Sequence, residues 1–184
     1  VAQTEYGSQS NQFWQEIKDF AAAFIPAEAN VSITYEVMAP SYIDLKIDNK
    51  YGDVFLDDHQ GDLELKLSNG DLKCNQLLGN SDLALDCANA SINRMAGGRV
   101  YTSYAEVRIR EADDLYIQSR SSRLELDMIN KLEIDAKHDK YTIGINEEAE
   151  GVLFWTDFRV DKLQGNIHLE SRYGSISMEH ISKH

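Results

Sequence analysis

From Ile43 onward, apolar and polar residues alternate in short runs, and the runs return in register along the chain. One column of apolar residues is Ile47, Leu65, Leu85, Val100, Ile117, Ile134, Leu153 and Leu169. Seven residues after each lies a second column: Val54, Leu72, Ile92, Val107, Leu124, Ile143, Val160 and Ile176. The offset is seven throughout, except for nine across His138-Asp139. Successive members of the second column lie 18, 20, 15, 17, 19, 17 and 16 residues apart. Two residues before the first column stand Leu45, Leu63, Leu83, Gly98, Leu115, Leu132, Gly151 and Ile167. Two after the second stand Leu56, Cys74, Arg94, Ile109, Leu126, Ile145, Lys162 and Met178. A looser third position supplies Leu77, Met95, Ala112, Ile129, Leu163 and Ile181.

Alternation with period two reads as β-strand. Strands that recur about every 17 residues cannot bury their apolar side singly, so the repeats must stack. The pattern predicts an all-β, single-domain parallel β-helix or solenoid of about eight coils, its rungs about 4.8 Å apart. An antiparallel sandwich gives no reason for a recurring seven-residue offset. The crossover preference of parallel strands favours right-handed coiling.

A corner falls two residues before the second column, at Gly52, Gly70, Ala90, Ala105, Ser122, Tyr141, Phe158 and Gly174. A sharp bend leaves little room there for an inward side chain. Tyr141 and Phe158 break that rule in neighbouring coils, which predicts a local bulge with the two rings in contact. The next residue faces outward and is polar in every coil: Asp53, Asp71, Ser91, Glu106, Arg123, Thr142, Arg159 and Ser175. Register further predicts Lys46 beside Glu64, and Lys66 between Asp48 and Asp86. Arg94 and Lys162 fall in apolar columns, so their strands are expected to end early and release the charge to water.

Residues 1–40 form a different segment from the solenoid of residues 41–184. Phe13, Trp14, Ile17, Phe20, Ala21 and Phe24 recur at helical spacing, predicting a helix over 11–25. Ser10 or Asn11 caps its start and Pro26 follows its end. Val31, Ile33, Tyr35 and Val37 alternate, predicting a strand over 31–38 that Pro40 stops. The segment suits a cap over one open end of the stack, where a bare sheet edge invites aggregation.

Composition narrows the function classes only slightly. A net charge of −13 disfavours nucleic acid and anionic lipid as partners. Residues 94–140 balance nine basic against nine acidic side chains, a charge-laced surface and no basic patch. No apolar run approaches the roughly 20 residues of a membrane-spanning helix. The start at Val1-Ala2-Gln3, without methionine, fits a processed or trimmed chain. Cys74 and Cys87 are too few for a disulfide framework and read as two buried thiols.

The run Tyr35-Glu-Val-Met-Ala-Pro is followed by Asn49-Lys-Tyr-Gly-Asp-Val, Gly61-Asp-Leu-Glu-Leu and Ser68-Asn-Gly-Asp-Leu. Together with the closing Tyr173-Gly-Ser-Ile, this series resembles a bacterial adhesin-like family built around a cell-envelope domain of unknown function. The resemblance covers residues 31–184. It implies a parallel β-solenoid, export to the periplasm or cell surface, and no known enzymatic activity. Partners would be an envelope protein or a glycan, with membrane association only through a partner or an anchor. The family supplies no functional residues to carry over.

Catalytic signatures are missing from the sequence: it contains no Gly-x-Ser-x-Gly, His-Glu-x-x-His, P-loop or dinucleotide fingerprint. No cofactor is expected, and calcium is the single candidate to weigh. Asp44, Asp62 and Asp82 are expected to face outward on three successive coils, and Asp53 and Asp71 on two. Carboxylates stacked one rung apart repel; calcium would relieve that, and nearby lysines and full hydration would do the same. Asp57-Asp58-His59 has ligand-type side chains but reads as a solvated turn. A glycan-cleaving β-helix would need a basic residue beside clustered carboxylates. Arg108, Arg110, Arg120 and Arg123 beside Glu106 and Glu125 are the nearest approach, and mutual ion pairing is the simpler reading. A regulatory envelope sensor is a further alternative. Phe55, Tyr101, Tyr116 and Phe154 are expected to face outward, with Tyr51, Tyr104 and Tyr173 at corners, where aromatic faces suit sugars or proteins.

Overall fold

The computed structural model describes residues 39–181, which fall in one compact unit. The helix expected over 11–25, the strand over 31–38 and their capping role lie outside the described residues. Eleven strands follow in chain order: β1 (Leu45–Lys50), β2 (Val54–Leu56), β3 (Leu63–Ser68), β4 (Asp71–Asp86), β5 (Asn89–Ser103), β6 (Glu106–Arg120), β7 (Arg123–Lys137), β8 (Lys140–Phe154), β9 (Asp157–Leu163), β10 (Ile167–Arg172) and β11 (Ser175–Ile181). All pair in parallel, and no helix occurs among the described residues. The chain is a parallel β-solenoid of about eight turns.

Each long strand, β4 to β8, runs from one corner to the next. Pairing lapses where the chain bends, for example between Cys74 and Gln76 and again between Leu77 and Asn80. Every coil therefore contributes three ladders. The first contains β1, the second β2, and the third the short piece around Leu77. Leucine, isoleucine and valine dominate the interior because a strand buried on its inner side needs branched side chains that fit a pleated surface. Leu65, Leu83, Val100, Ile117, Val107 and Leu124 are shielded completely. Their counterparts in the end coils, Leu45, Ile47, Leu169 and Met178, are only half-buried. They have a neighbouring coil on one side alone.

The register departs from the sequence expectation by two residues in several coils. Leu65 pairs with Leu83, not Leu85, and Ile134 pairs with Gly151, not Leu153. The second column is Val54, Leu72, Ala90, Val107, Leu124, Tyr141, Phe158 and Ile176. Alternation fixes which face a residue takes, but a slip of two keeps every side chain on its face. Leu83 and Leu85 both point inward, as do Tyr141 and Ile143, so hydrophobicity alone cannot choose between them.

The corrected register removes the irregularities. Coils now measure 18, 18, 17, 17, 17, 17 and 18 residues, and the nine-residue exception disappears. Each longer coil holds one extra glycine at a bend: Gly61, Gly79 or Gly165. A Cβ on Gly61 would collide with the carbonyl of Ile43, and one on Gly79 with that of Gly61. Arg94 and Lys162 leave the apolar columns, their places taken by Ile92 and Val160, and their strands continue through them. Tyr141 and Phe158 occupy ordinary core positions without a bulge. Their rings do touch, with centroids 5.9 Å apart. Lys46 bonds Glu64 at 2.8 Å as expected, which holds the Glu64 carboxyl below its usual range. Lys66 instead lies between Asp48 and Ala84, its amine 3.8 Å from Glu64.

Interior polar residues are the remaining surprise. Thr102 stacks between Leu85 and Ser119 on the buried side, and its hydroxyl finds no partner among the described residues. A buried hydroxyl without a bond costs about 1–3 kcal/mol. Thr102→Val keeps the shape and removes the group, so it is expected to raise stability by about 1 kcal/mol. Chemical denaturation would show this as a higher midpoint at unchanged slope, and a lower midpoint would refute it.

Candidate functional site

The corner of each coil carries the most distinctive side chains. Eight residues other than glycine adopt positive φ, between +50° and +62°: Tyr51, Asn69, Cys87, Tyr104, Ser121, His138, Trp155 and Tyr173. They form one column, each a residue before the inward corner position. The inward column is Gly52, Gly70, Ala88, Ala105, Ser122, Asp139, Thr156 and Gly174. Ala88, Asp139 and Thr156 thus replace the Ala90, Tyr141 and Phe158 expected from sequence. The outward residues after them correct likewise, to Asn89, Lys140 and Asp157. Left-handed backbone costs about 1–2 kcal/mol for a residue with a Cβ. Hydrogen bonds between coils hold it in place, such as Tyr51 N–H to the Ser68 carbonyl and Trp155 N–H to the Arg172 carbonyl, both 2.9 Å.

Five of these eight strained positions bear an aromatic ring or imidazole, and all five are exposed. His138 and Trp155 lie nearly parallel, centroids 6.1 Å apart. Trp155 and Tyr173 stack at 4.7 Å. Beside them, the Arg172 guanidinium sits 5.4 Å from the Phe154 ring centre. Rings on successive coils stack because the rungs set them close to van der Waals separation.

A buried polar cluster anchors the same corners from inside. Asp139 is 5% exposed. Its Oδ1 accepts the Ser122 N–H at 2.6 Å, and its Oδ2 accepts the Lys137 N–H at 2.6 Å and the Ser119 hydroxyl at 2.8 Å. Ser119 Oγ and Tyr141 Oη lie 2.7 Å apart. Thr156 Oγ1 accepts the Asp139 N–H at 3.3 Å and donates to the Phe154 carbonyl at 2.9 Å. Burial raises the Asp139 carboxyl above its ordinary range, against the pull of those three donors. Burial likewise raises Tyr141, which stays a neutral phenol. The cluster ties three consecutive corners together and holds the backbone beneath His138 and Trp155.

The acidic candidates part company. Asp44 and Asp62 do stack, but the next rung is Asn80, while Asp82 pairs with Glu64 in another column. Asp44, Asp62 and Asp53 each have a donor from the following coil: Asp62 N–H to Asp44 and Asn80 N–H to Asp62, both 3.0 Å, and Asp71 N–H to Asp53 at 2.9 Å, whereas Asp82 Oδ1 has no partner among the described residues. Asp71 in turn accepts the Asn89 amide at 2.9 Å. Backbone donors and asparagines relieve the repulsion between these stacked carboxylates. Among the described residues, no three acidic, histidine or cysteine side chains converge as ion ligands. Asp57 and Asp58 are exposed, with Asp58 bonded to the Asn75 amide at 2.6 Å. His59 turns inward, 4% exposed, pairs with Leu77 and belongs to the interior third column, not a solvated turn. That column was expected from Leu77 onward; Asn146 fills its gap.

Arg108 is committed to Glu125, with Nε 2.9 Å from Oε2 and a second contact from its terminal nitrogen. Arg94 meets Glu111 and Asp113, and Arg159 meets Asp161 and Glu179. Cys74 is buried and its thiol pushed up to about 12, mainly by desolvation, so it is unreactive. Cys87 is exposed at a corner rather than buried. Phe55, Tyr101, Tyr116 and Phe154 all face outward as expected, Tyr116 and Phe154 being partly covered. Sequence reasoning found Tyr51, Tyr104 and Tyr173 but missed His138 and Trp155, which the two-residue slip hid. No protein-family model, curated protein or solved structure matches the chain.

Proposed function

We propose that this solenoid is a non-enzymatic interaction scaffold of the bacterial envelope, acting in the periplasm or at the cell surface. The observation that carries this reading is the line of exposed rings on strained corners. Glycine or asparagine would sit there at little cost, yet five of eight corners hold Tyr, His or Trp. Strain retained at exposed positions points to side chains kept for what they contact. The Trp155–Tyr173 stack, 55% and 71% exposed, is the densest part of that line. The resemblance over residues 31–184 supports the envelope location.

The test is a double variant, Trp155→Ala with Tyr173→Ala, compared with the parent on a glycan array and against purified envelope proteins. Loss of one stacked pair costs about 0.5–1.5 kcal/mol, so the fold should survive. A ligand held at this edge is expected to bind the variant about tenfold more weakly. Equal binding by both proteins would remove the corner rings from the reading; capture of no ligand by either, or export failure of the full-length gene product in cell fractionation, would overturn it.

A further inference from the structure

A groove of about 570 Å³ runs along the outside of the first ladder and draws its lining from five successive coils. One wall is a register column that includes Lys66, Tyr101 and Gln118. The other includes Ser103, Arg120 and Lys137, immediately before the corner column. Ala84 and Ser103 are the short side chains of the two walls, and Leu85 and Thr102 lie between them. Tyr101 is 38% exposed and braced edge-on by Tyr116, centroids 6.2 Å apart. Arg120 and Lys137 stand on adjacent rungs, exposed, and enter no ion pair among the described residues.

We propose that this groove binds an extended oligosaccharide, one sugar unit per coil, whose carboxylates are held by Arg120 and Lys137. The proposal rests on the scaffold reading and names a ligand class for it, on a face next to the corner rings.

Direction and spacing select the ligand. The groove crosses the strands and follows the stack, so its groups recur every rung, about 4.8 Å. A pyranose unit in an extended chain is close to that length, and its C–H face suits the Tyr101 ring. A peptide strand advances about 3.3 Å per residue, out of step with the rungs, and the groove offers no free backbone edge for strand addition. A polynucleotide would meet a net charge of −13. Within the groove the balance is locally reversed: the lining holds Lys66, Arg120 and Lys137 and only Asp86 and Asp135. The two unpaired cations at one end fit carboxylates at successive sugar units, through charge-assisted hydrogen bonds.

Isothermal titration with oligogalacturonates of increasing length, and with uncharged cello-oligosaccharides of matching length, tests this. Affinity for the uronates is expected to rise with length and level off near five units, one for each coil that lines the groove. Tyr101→Ala should weaken binding about tenfold, and Arg120→Ala with Lys137→Ala by more than tenfold. The double variant should also flatten the salt dependence. Arg159→Ala, on the second ladder, should change nothing. Melting curves of each variant show whether the fold is retained. No saturable binding, equal affinity for the uncharged series, or unchanged binding by the groove variants would each overturn the proposal. The Trp155/Tyr173 variant run in parallel separates the two readings: unchanged uronate binding by it supports the groove as the site, and lost uronate binding would place the ligand on the corner rings and overturn the groove.

Discussion

Asp139→Ala is expected to destabilise the solenoid by about 3–5 kcal/mol, the loss of a buried carboxylate that serves three donors. The Ser122 and Lys137 N–H groups and the Ser119 hydroxyl would all lose their acceptor. Two of the donors are backbone amides at corners, where left-handed φ already costs energy. For a chain of this size, the change corresponds to a fall of about 10 °C in melting temperature. Asp139→Asn is the sharper comparison. Whichever way its amide turns, an NH2 group meets either the Ser122 or the Lys137 N–H, leaving one donor unpaired at about 1–3 kcal/mol. Differential scanning calorimetry of both variants checks the order Ala worse than Asn. If either proves neutral, the carboxylate is not a structural clamp.

The same carboxylate gives stability a pH signature. Its folded-state value is raised, by burial first. Asp139 therefore contributes stability that is fully present below the unfolded value, about 3.9, and is lost as pH rises through the folded value. The protonated form keeps its contacts because the Ser119 hydroxyl can turn to accept from Oδ2 and donate to Tyr141 Oη. Glu64, lowered by Lys46, works in the opposite sense. Subtracting the pH profile of Asp139→Asn from the parent isolates the first effect.

The fold was legible because alternation and a constant offset between columns leave few architectures that bury every coil. The register was less so, and Asp139 shows why. Ile143 is as apolar as Tyr141 and two residues away, so alternation accepts it as the second-column member and sets the corner at Tyr141 instead of Asp139. With that shift, His138 and Trp155 lost their alignment with Tyr51, Tyr104 and Tyr173. What identifies the corner is backbone conformation, and left-handed geometry leaves a sequence mark only where glycine or asparagine supplies it, as at Asn69-Gly70. Tyr, Trp and Cys in that conformation leave none. The groove was equally invisible: Tyr101, Arg120 and Lys137 are ordinary outward residues until the rungs bring them together. Cys87 shows the same limit, since its corner position, not its residue type, sets its exposure.

Register also governs the second large effect. Gly98→Ala is expected to cost about 3–5 kcal/mol, whereas Gly97→Ala, one residue away, costs less than about 1 kcal/mol. Gly98 has φ +141°, a region that residues with a Cβ rarely adopt. Its added methyl would also run into the Ser81 carbonyl oxygen of the preceding coil. Neither the dihedral nor the contact can relax locally, since Gly98 pairs with Ser81 on one side and Leu115 on the other. At Gly97 the nearest atom to a new Cβ is the Asp114 carbonyl oxygen at 3.2 Å, a contact that a few tenths of an ångström relieve. The interior column containing Gly98 narrows there to Ser81 and Gly98 between Leu63 and Leu115. Close backbone approach, not missing bulk, is the reason for small residues at that level. Urea titrations of the two variants decide it: a midpoint shift for Gly98→Ala no larger than for Gly97→Ala would mean that the coils can separate to admit a methyl group.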